Sequence, residues 1–373
     1  MKKILFVVVH LNYGGAEVGL LTILKSINKD LFDCRVVCIE KKGPVGEAIE
    51  AHGLQVTYLN DNARLYNIGL FFKILRILKK ERPDVLHTSL FYANFFGRVA
   101  ALFCRPPVIL SEERSMYTEK RFYHVIIDRI LSKITDRIIV CSQSVLEFTA
   151  NQEKIDKTKF CLIYNSVDAG RFPASENTSA LREKYGLPIE GYIVGSVGSL
   201  ISKKGHEVLI EAAAILSKDI TDLKVIIVGE GGRKDDLVAL ASKLGLGKRV
   251  VFMGPRDDVP QMMKMMDIFV LPSFQEGFPR TVIEAMYTEI PVVATNISGI
   301  PEIISDGDNG ILIPAGDANA IAQKCLMLYR NPGLRKSIGI NAKKKVESGY
   351  MPQDYSCRLE GLYSECLKEK ARA

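Results

Sequence analysis

The chain has 373 residues, 47% hydrophobic and 25% charged, so it is long enough for two domains and has the composition of a water-soluble globular protein. No apolar run approaches the roughly 18 residues of a membrane-spanning helix, which argues against an integral membrane protein. The net charge is +7, and the whole excess lies in residues 1–172, which hold 25 Lys and Arg against 18 Asp and Glu. This asymmetry indicates an anionic partner for the first half. Because Trp is absent and no aromatic-basic stripe is present, an acidic membrane surface or a phosphate-bearing acceptor is favoured over nucleic acid.

The first residues, MKKILFVVVH, resemble the start of a signal peptide. The apolar run stops at Val9, however, and the polar His10 and Asn12 follow, so a buried first strand is the better interpretation. The eight cysteines are scattered and include no C-x-x-C pair. They predict reduced, buried thiols in a cytoplasmic protein, and neither a disulfide framework nor a zinc site.

Buried-strand runs alternate with amphipathic helical stretches along the first half. Strands are predicted at ILFVVV, CRVVCIE, LQVTYL, DVLHTS, PVIL and DRIIVCS, and helices after Gly14-Gly15 and over 43–52, 68–81, 91–103, 118–133 and 143–150. The polar passage FCLIYNSVDAGRFPASENTS then predicts a linker.

The same alternation returns after this passage. Strands are predicted at YIVGSVGSL, LKVIIVG, VVFMG, IFVLPS, PVVAT and GILIP, with helices over 205–217, 233–244, 259–264, 281–288, 300–304 and 317–330 and a helical tail from Asn331. The pattern predicts an α/β protein of two doubly wound, Rossmann-like units in tandem. Ligands of such sheets bind beyond the carboxyl ends of the strands.

Two glycine-rich turns suggest phosphate binding. Gly14-Gly15 links a strand to a helix, and Gly229-Glu230-Gly231-Gly232 follows VIIV. Neither completes the G-x-G-x-x-G fingerprint of dinucleotide binding, although Glu40 stands where such a fold keeps its ribose-binding acid. A simple turn between strand and helix explains either segment equally well.

The segment FQEGFPRTVIEA carries a glutamate at each end of a loop-to-helix passage. Thr281 and Glu284 fit a capping box, which would explain Glu284 but would leave Glu276 unexplained. The alternative is that the amides at the start of this helix face an anion and the carboxylates hold what is attached to it. Upstream, Lys203 and Lys204 precede another helix and could hold a dianion, or they could form an exposed basic turn.

Other candidate chemistries have less support. Asp306 and Asp308 resemble a metal-binding Asp-x-Asp pair, but Asn309-Gly310 behind them indicates a turn. The five histidines show no metal-ligand spacing, and no G-x-S-x-G elbow supports a serine hydrolase. Residues 68–82 and 116–133 are basic and apolar. They are either lipid-binding amphipathic helices or core helices with a basic outer face.

The order of motifs resembles that of the retaining family-4 glycosyltransferases of the GT-B fold. The matching segments span most of the chain and are GGAE, PDVLHTSLFYAN, TDRIIVCSQS, IYNSVDAGRF, GSLISKKGHEVLIEAAA, VGEGG, VVFMG, VLPSFQEGFPRTVIEAM, PVVATNISGIPEII and DGDNGILIPAGD. The resemblance implies an acceptor-binding domain of residues 1–172 plus a crossover helix at 355–373, and a nucleotide-sugar-binding domain of residues 173–354. It also implies a substrate cleft between them and no metal or other cofactor.

The resemblance also implies roles for single residues. Lys204 would neutralise the departing diphosphate and Glu276 would face the hydroxyls of the transferred sugar, which makes them the catalytic candidates. Glu284 would bind the ribose. The further donor-binding candidates are Gly15, Ser199, Lys203, Gly254, Arg256, Gly277, Phe278 and Pro279. The candidates for an acceptor or sugar pocket are Gly14, Glu17, Glu113 and Arg114.

Three positions depart from the family pattern. Ser199 stands where arginine is usual, and Lys203 is the candidate replacement for its charge. The loop SEERS lacks the frequent histidine, which is why Glu113 and Arg114 are considered for the sugar pocket. Glu289 replaces a usual glycine and is interpreted as surface variation.

Together with the charge pattern, the resemblance thus implies a cytoplasmic enzyme, peripheral at the inner face of the membrane, that transfers a sugar, with retention, from a nucleoside-diphosphate sugar, UDP being favoured, to a glycan acceptor. The basic first half favours a lipid-linked acceptor in cell-surface polysaccharide synthesis, and an anionic membrane surface as partner. The alternatives are a phosphorylase-like or epimerase-like enzyme, an NAD-dependent oxidoreductase, and a non-catalytic sugar-nucleotide-binding module.

Overall fold

The computed structural model describes residues 1–172 and 177–372. Its strands are β1 (Lys2–Val8), β2 (Phe32–Cys38), β3 (Gln55–Tyr58), β4 (Val85–Ser89), β5 (Val108–Glu113), β6 (Arg137–Val140), β7 (Phe160–Leu162), β8 (Ile193–Val197), β9 (Lys224–Val228), β10 (Val250–Gly254), β11 (Ile268–Leu271), β12 (Val292–Thr295) and β13 (Ile311–Ile313). Its α-helices are α1 (Gly15–Ser26), α2 (Pro44–Ala51), α3 (Ile68–Glu81), α4 (Phe91–Cys104), α5 (Phe122–Leu131), α6 (Gln143–Glu153), α7 (Thr178–Lys184), α8 (His206–Leu216), α9 (Lys234–Lys243), α10 (Val259–Lys264), α11 (Arg280–Tyr287), α12 (Ala318–Arg330), α13 (Pro332–Glu347) and α14 (Pro352–Arg372).

The chain divides into two compact units. The first is Met1–Ser166 together with the C-terminal segment that starts at Pro352, and the second is Val167–Met351. The expected start of the second domain, residue 173, lies outside the described residues. Helix α14 belongs to the first unit. Its buried Tyr363 hydroxyl forms a hydrogen bond with Nδ1 of His87 on β4, at 2.7 Å.

The first unit is built on a seven-stranded sheet in the order β3-β2-β1-β4-β5-β6-β7, and every strand pair is parallel. In the register, Phe6 on β1 lies beside Val36 on β2 and His87 on β4. One core layer joins β1 and β4 to α1, α2 and α14, and a second joins the opposite face to α3 and α4. The run ILFVVV is therefore the central buried strand, as the sequence predicts.

The second unit repeats the arrangement with six parallel strands in the order β10-β9-β8-β11-β12-β13. In both sheets the strand order reverses beside the first strand, between β1 and β4 and between β8 and β11. At such a reversal, the loops that follow the two strands diverge to opposite faces and leave a crevice at the carboxyl edge. The prediction of two doubly wound α/β units is confirmed.

The linker prediction is wrong at both of its ends. Phe160–Leu162 forms β7, the last strand of the first sheet, and Thr178–Lys184 forms α7. The short FCL run pairs with β6 although polar residues follow it, and Asn177 caps α7 by accepting a hydrogen bond from the Ser179 amide. Tertiary pairing and a side-chain cap thus order what composition alone marks as irregular.

Three helix predictions also need correction. The predicted helix 300–304 is a single 3-10 turn, Ile300–Glu302. The predicted helix 118–133 shrinks to Phe122–Leu131. The tail from Asn331 is two helices, since α13 ends at Glu347 before α14 begins at Pro352. Glu289, interpreted as surface variation, has φ +61°, so it occupies a left-handed position that favours glycine, and it pairs with Lys343 at 2.7 Å.

Among the described residues, no helix combines the length and apolar character required to cross a bilayer. The cysteines in this part of the chain carry free thiols, and most are buried.

Candidate functional site

The loops after β8 and β11 meet at the reversal point of the second sheet. The loop after β8 ends in a 3-10 turn, Ser202–Lys204, and Gly205 is the N-cap residue of α8. Gly205 has φ +65°, and a Cβ there would lie 2.1 Å from the Pro272 carbonyl oxygen of the other loop. The Phe274 amide donates to the Lys203 carbonyl at 2.8 Å. Only glycine allows this close approach, which fixes the two loops against each other.

An ion pair joins the two catalytic candidates across these loops. Lys204 Nζ lies 2.6 Å from Glu276 Oε1, and the two side chains are 22% and 8% exposed. Ser273 donates from Oγ to the same carboxylate oxygen at 2.7 Å, and Thr295 holds the Ser273 carbonyl at 2.8 Å. The carboxylate is thus oriented from two sides, while the ammonium remains within reach of solvent. Ser273 is not among the site residues predicted from the sequence. The available signal is that a polar residue stands two positions after the end of the apolar strand β11.

His206, the first residue of α8, lies beside this pair. Its side chain is buried, and burial lowers the pKa of its imidazole to about 4, with the Lys204 charge acting in the same direction. The ring is therefore neutral at physiological pH, and Lys204 supplies the positive charge of this corner.

Glu284 lies inside α11 and not at its end. The helix begins at Arg280 with Pro279 as its N-cap residue and has no side-chain cap, so the predicted capping box is wrong. The Glu284 carboxyl is 6% exposed, and burial raises its pKa, with Arg280 and Arg171 acting in the opposite direction. A buried acid without a capping role is a candidate for a ligand contact. Gly277, Phe278 and Pro279, which lead into α11, are buried beside it.

Arg256 is held by its own neighbours just beyond β10. Its guanidinium makes two hydrogen bonds to Asp258, at 2.7 and 2.6 Å, and lies 5.1 Å from the centre of the Tyr185 ring. The Tyr185 hydroxyl donates to the same Asp258 carboxylate. The Arg256 hydrogen bonds lower the pKa of Asp258 to about 2. Gly254, with φ +68°, ends β10 and turns the chain toward this cluster.

Ser199 and Lys203 are both exposed on the loops of this corner. The second unit therefore gathers Lys204 and Glu276 at one point, with Glu284 buried in the helix that follows the same loop. Arg256 stands apart in its own cluster.

The first unit places Glu17 and Arg114 around one small cavity, while Glu113 lies elsewhere. Gly15 is the first residue of α1, and Glu17 lies in the first turn with one carboxylate oxygen over Gly14, where a Cβ would approach it to 2.3 Å. Glu17 is 6% exposed and lies 3.4 Å from His10 Nδ1. Burial raises its pKa, and His10 acts in the opposite direction.

Arg114 lies in a buried polar cluster at the end of β5. It pairs with Glu112 at 2.6 Å, and the Tyr355 hydroxyl of α14 donates to the same carboxylate at 3.1 Å. Burial alone would raise the pKa of Glu112, but Arg114 holds it below its usual range. Glu17, His87, Glu112 and Arg114 line a cavity of about 20 Å³, enough for one water molecule.

Glu113 does not reach this cavity, because successive residues of a strand face opposite sides of the sheet. Its carboxylate accepts a hydrogen bond from Asn94 at 3.1 Å and lies in a separate buried charge cluster. In that cluster, Asp128 pairs with Arg98 and with Lys120, and Lys120 also pairs with Glu153 at 2.5 Å. The sequence reading missed Glu112, which occupies the place beside Arg114 that it gave to Glu113.

In the part of the chain that the structure describes, no group of His, Cys, Asp and Glu is arranged to hold a metal. Asp306 accepts a hydrogen bond from the Leu312 amide at 2.8 Å, and Asp308 accepts one from the Asn341 side chain at 2.9 Å. Both carboxylates thus bind groups of the protein itself.

Two family models match the chain. Residues 13–171 match the family described as Glycosyltransferase Family 4, and residues 177–345 match Glycosyl transferases group 1. The chain is a family-4 glycosyltransferase. Its fold is GT-B.

Relatives of this glycosyltransferase match along nearly its whole length. It is 26% identical to the UDP-Gal:alpha-D-GlcNAc-diphosphoundecaprenol alpha-1,3-galactosyltransferase of Escherichia coli, over 91% of this chain and 90% of that protein. It is 27% identical to the N-acetylgalactosamine-N,N'-diacetylbacillosaminyl-diphospho-undecaprenol 4-alpha-N-acetylgalactosaminyltransferase of Campylobacter jejuni, over 93% and 96% of the two chains. Among solved structures, Anabaena HepE in complex with UDP-glucose has a TM-score of 0.88 and 25% identity, over 98% of this chain and 100% of that one.

Proposed function

We propose that this glycosyltransferase transfers a sugar, with retention of anomeric configuration, from a UDP-sugar to a lipid-linked glycan at an anionic membrane surface. The observation that carries the proposal is the Lys204–Glu276 pair at the reversal point of the second sheet, oriented by Ser273 and open to solvent on the lysine side. A cation and a fixed carboxylate at one point suit a ligand that carries both a diphosphate and sugar hydroxyls.

The donor roles follow from charge. Cleavage of the anomeric bond leaves negative charge on the diphosphate, and we assign to Lys204 the stabilisation of that charge as it develops. When the donor binds, Glu276 releases Lys204 and accepts hydrogen bonds from the sugar hydroxyls instead. Glu284 receives the ribose hydroxyls, the amides of Gly277 and Phe278 meet the sugar and diphosphate, and Gly254 borders the base. We assign a supporting electrostatic role to Lys203 near Ser199, and no metal.

The identity of the substrates rests on the relatives. One relative's name specifies a UDP-sugar donor, and both names specify a diphosphoundecaprenol acceptor and an α linkage. An α product formed from an α-linked UDP-sugar is formed with retention. The first unit, with Gly14, Gly15, Glu17 and Arg114 at its carboxyl edge, is the proposed acceptor side. Its excess of basic residues suits a diphosphate-bearing lipid in an anionic membrane.

The proposal is tested first by thermal stability with UDP, GDP, ADP and NAD, for wild type and for Glu284→Ala. A ligand at 100 times its dissociation constant stabilises a protein by about 2.7 kcal/mol, which is easily measured as a melting shift. We expect UDP to shift the wild type and the matched control Glu211→Ala, whose side chain is exposed on α8, but not Glu284→Ala. A shift with NAD alone would favour an oxidoreductase.

Turnover distinguishes an enzyme from a sugar-nucleotide-binding module. UDP-sugars are incubated with a diphosphate-linked lipid acceptor, and both released UDP and the configuration of the new linkage are measured. We expect UDP release that depends on the acceptor, and an α product. Donor binding without any turnover across the panel would identify a binding module.

A further inference from the structure

Helix α5 carries its largest apolar side chains on the side that faces solvent. Phe122, Ile126 and Ile130 are 75%, 46% and 58% exposed. Because residues four apart lie on one face of a helix, these three form a continuous stripe. An exposed apolar stripe on a helix of a folded unit is typical of a surface that meets a partner or a lipid interface.

The reason for this orientation lies on the inner side of the helix. Asp128 is 1% exposed, and its carboxylate pairs with Arg98 of α4 and with Lys120 at 2.6 Å. Lys120 is itself held by Glu153 of α6. Lys120, one of the basic residues of the segment 116–133, therefore has a buried side chain and is not a surface cation. This buried charge cluster turns the polar side of α5 inward, which leaves the apolar stripe outside.

The exposed charged residues of the segment 121–133 are all positive. Arg121 precedes the helix, Arg129 lies within it and Lys133 follows it, and all three are exposed. Asp128, the one acidic residue of the segment 120–133, points into the unit. An apolar stripe bordered by cations complements a bilayer with anionic headgroups, which attracts the cations while the acyl region accepts the apolar side chains.

The other basic helix, α3, is oriented in the ordinary way. Leu70, Ile74 and Leu78 form a buried stripe in the core, and Lys73 pairs with Asp61 at 2.7 Å. The large exposed apolar residues of α3, Ile68 and Phe72, form a pair across the first turn of the helix, whereas the α5 stripe continues over two turns. Of the two segments for which the sequence left lipid binding open, the structure therefore favours α5.

We propose that α5 is the surface by which the first unit docks on a bilayer containing anionic phospholipid. The inference rests on the proposed function, in which the acceptor is linked to a membrane lipid. Docking through α5 would bring the enzyme to the membrane that carries this acceptor. Phe122 is the first residue of α5 and follows Arg114 by eight residues. The loop between them leaves the carboxyl edge of the first sheet. Docking through this end of α5 brings the edge that carries Glu17 and Arg114 close to the headgroups.

The test is sedimentation of the full chain with vesicles of phosphatidylcholine alone or mixed with phosphatidylglycerol. We expect binding to the mixed vesicles at low salt and release at high salt. Arg121→Ser with Arg129→Ser removes two surface cations and is expected to weaken binding roughly thirtyfold. Phe122→Ser, Ile126→Ser and Ile130→Ser together are expected to weaken it more than about tenfold, since the stripe no longer inserts.

The matched controls lie on α3. Ile68→Ser with Phe72→Ser, and Arg76→Ser with Lys80→Ser, remove side chains of the same types from exposed positions and are expected to leave vesicle binding unchanged. Circular dichroism melts check that every variant is folded. The docking proposal is overturned if the wild type does not bind, if it binds phosphatidylcholine alone equally well, or if the α3 variants lose as much binding as the α5 variants.

The UDP melting shift separates this proposal from the proposed function. A UDP shift without vesicle binding refutes docking through α5 and leaves the transferase proposal standing. Vesicle binding that depends on α5, without any UDP shift or turnover, supports the docking surface and refutes the proposed function.

Discussion

The two units have parallel sheets with the same reversal of strand order, but they place charge differently near their carboxyl edges. In the first unit, Arg114 and Glu112 are buried against each other, and a separate cluster around Asp128 is also buried. In the second unit, Lys204 keeps 22% of its side chain exposed while pairing with Glu276. One topology therefore supports either a buried charge cluster or a solvent-accessible ion pair, depending on how deeply its loops bury the cations.

This contrast predicts that removing a buried cation of the first unit lowers the free energy of unfolding, whereas removing Lys204 lowers turnover. Arg98→Met leaves Asp128 and its neighbours without a cation that is 2% exposed, and breaking such a buried pair costs about 3–5 kcal/mol. We expect a loss of this size in the free energy of unfolding, measured in urea, with the UDP melting shift retained.

The matched control is Arg330→Met. Arg330 pairs with Asp219 at 2.8 Å, but the two side chains are 62% and 42% exposed. An exposed pair contributes at most about 1 kcal/mol. If Arg98→Met cost no more than this control, the cluster of the first unit would not be a structural element.

Lys204→Ala is expected to show the opposite behaviour. Removing a preorganised charge at a developing anion costs about 2.7–4 kcal/mol of transition-state stabilisation, so kcat falls at least about 100-fold. The melting temperature changes little, since the lysine is partly solvated. Steady-state turnover of the UDP-sugar measures the effect, and Lys218→Ala, at an exposed position of the same unit, is the control. Near-normal turnover of Lys204→Ala would remove the lysine from the mechanism.

The buried cluster of the first unit also predicts a dependence of stability on pH. Burial, together with Glu113, raises the pKa of Glu153 to about 8, although Lys120 opposes the shift. Between the unfolded pKa of about 4.3 and this value, the folded chain binds a proton that the unfolded chain does not. This group therefore makes the protein less stable as the pH rises through that window.

Glu153→Gln removes this titration while keeping the side-chain shape. We expect urea midpoints measured from pH 5 to pH 8 to fall less steeply for the variant than for wild type. Parallel curves would mean that Glu153 is ionised throughout and that Lys120 and its neighbours stabilise the charge fully.

The parts of the fold that the sequence predicted well are those set by local pattern. Helix α3 and helix α10 occupy the predicted ranges 68–81 and 259–264. Periodic apolar residues define α3, and Asp258 with Pro260 marks the start of α10. Strand β7 and helix α7 were missed because pairing with a neighbouring strand and a single capping asparagine leave almost no periodic signal.

The surroundings of the candidate site residues could not be predicted from the sequence. Lys204 and Glu276 lie on loops after two different strands, and no spacing rule predicts that they touch. Thr281 and Glu284 had the spacing of a capping box, but α11 starts one residue earlier, at Arg280, which places both inside the helix. The inward turn of Lys120 depends on Asp128 and Glu153 from α5 and α6, a tertiary arrangement that a basic, apolar segment does not reveal.

Arg256 provides the finest test of the contrast, because this cation of the second unit is ion-paired although its side chain is 30% exposed. Its guanidinium is already bound to Asp258 and lies against Tyr185, so few of its donors are free for a nucleobase. We expect Arg256→Ala to weaken UDP binding by no more than about fivefold, equivalent to about 1 kcal/mol, and to weaken GDP binding by the same factor. Calorimetric titration of both nucleotides measures this, with Lys248→Ala at an exposed position as the control. A much larger loss for one nucleotide would mean that Arg256 leaves Asp258 to read the base, and that the charges of the second unit reorganise on binding.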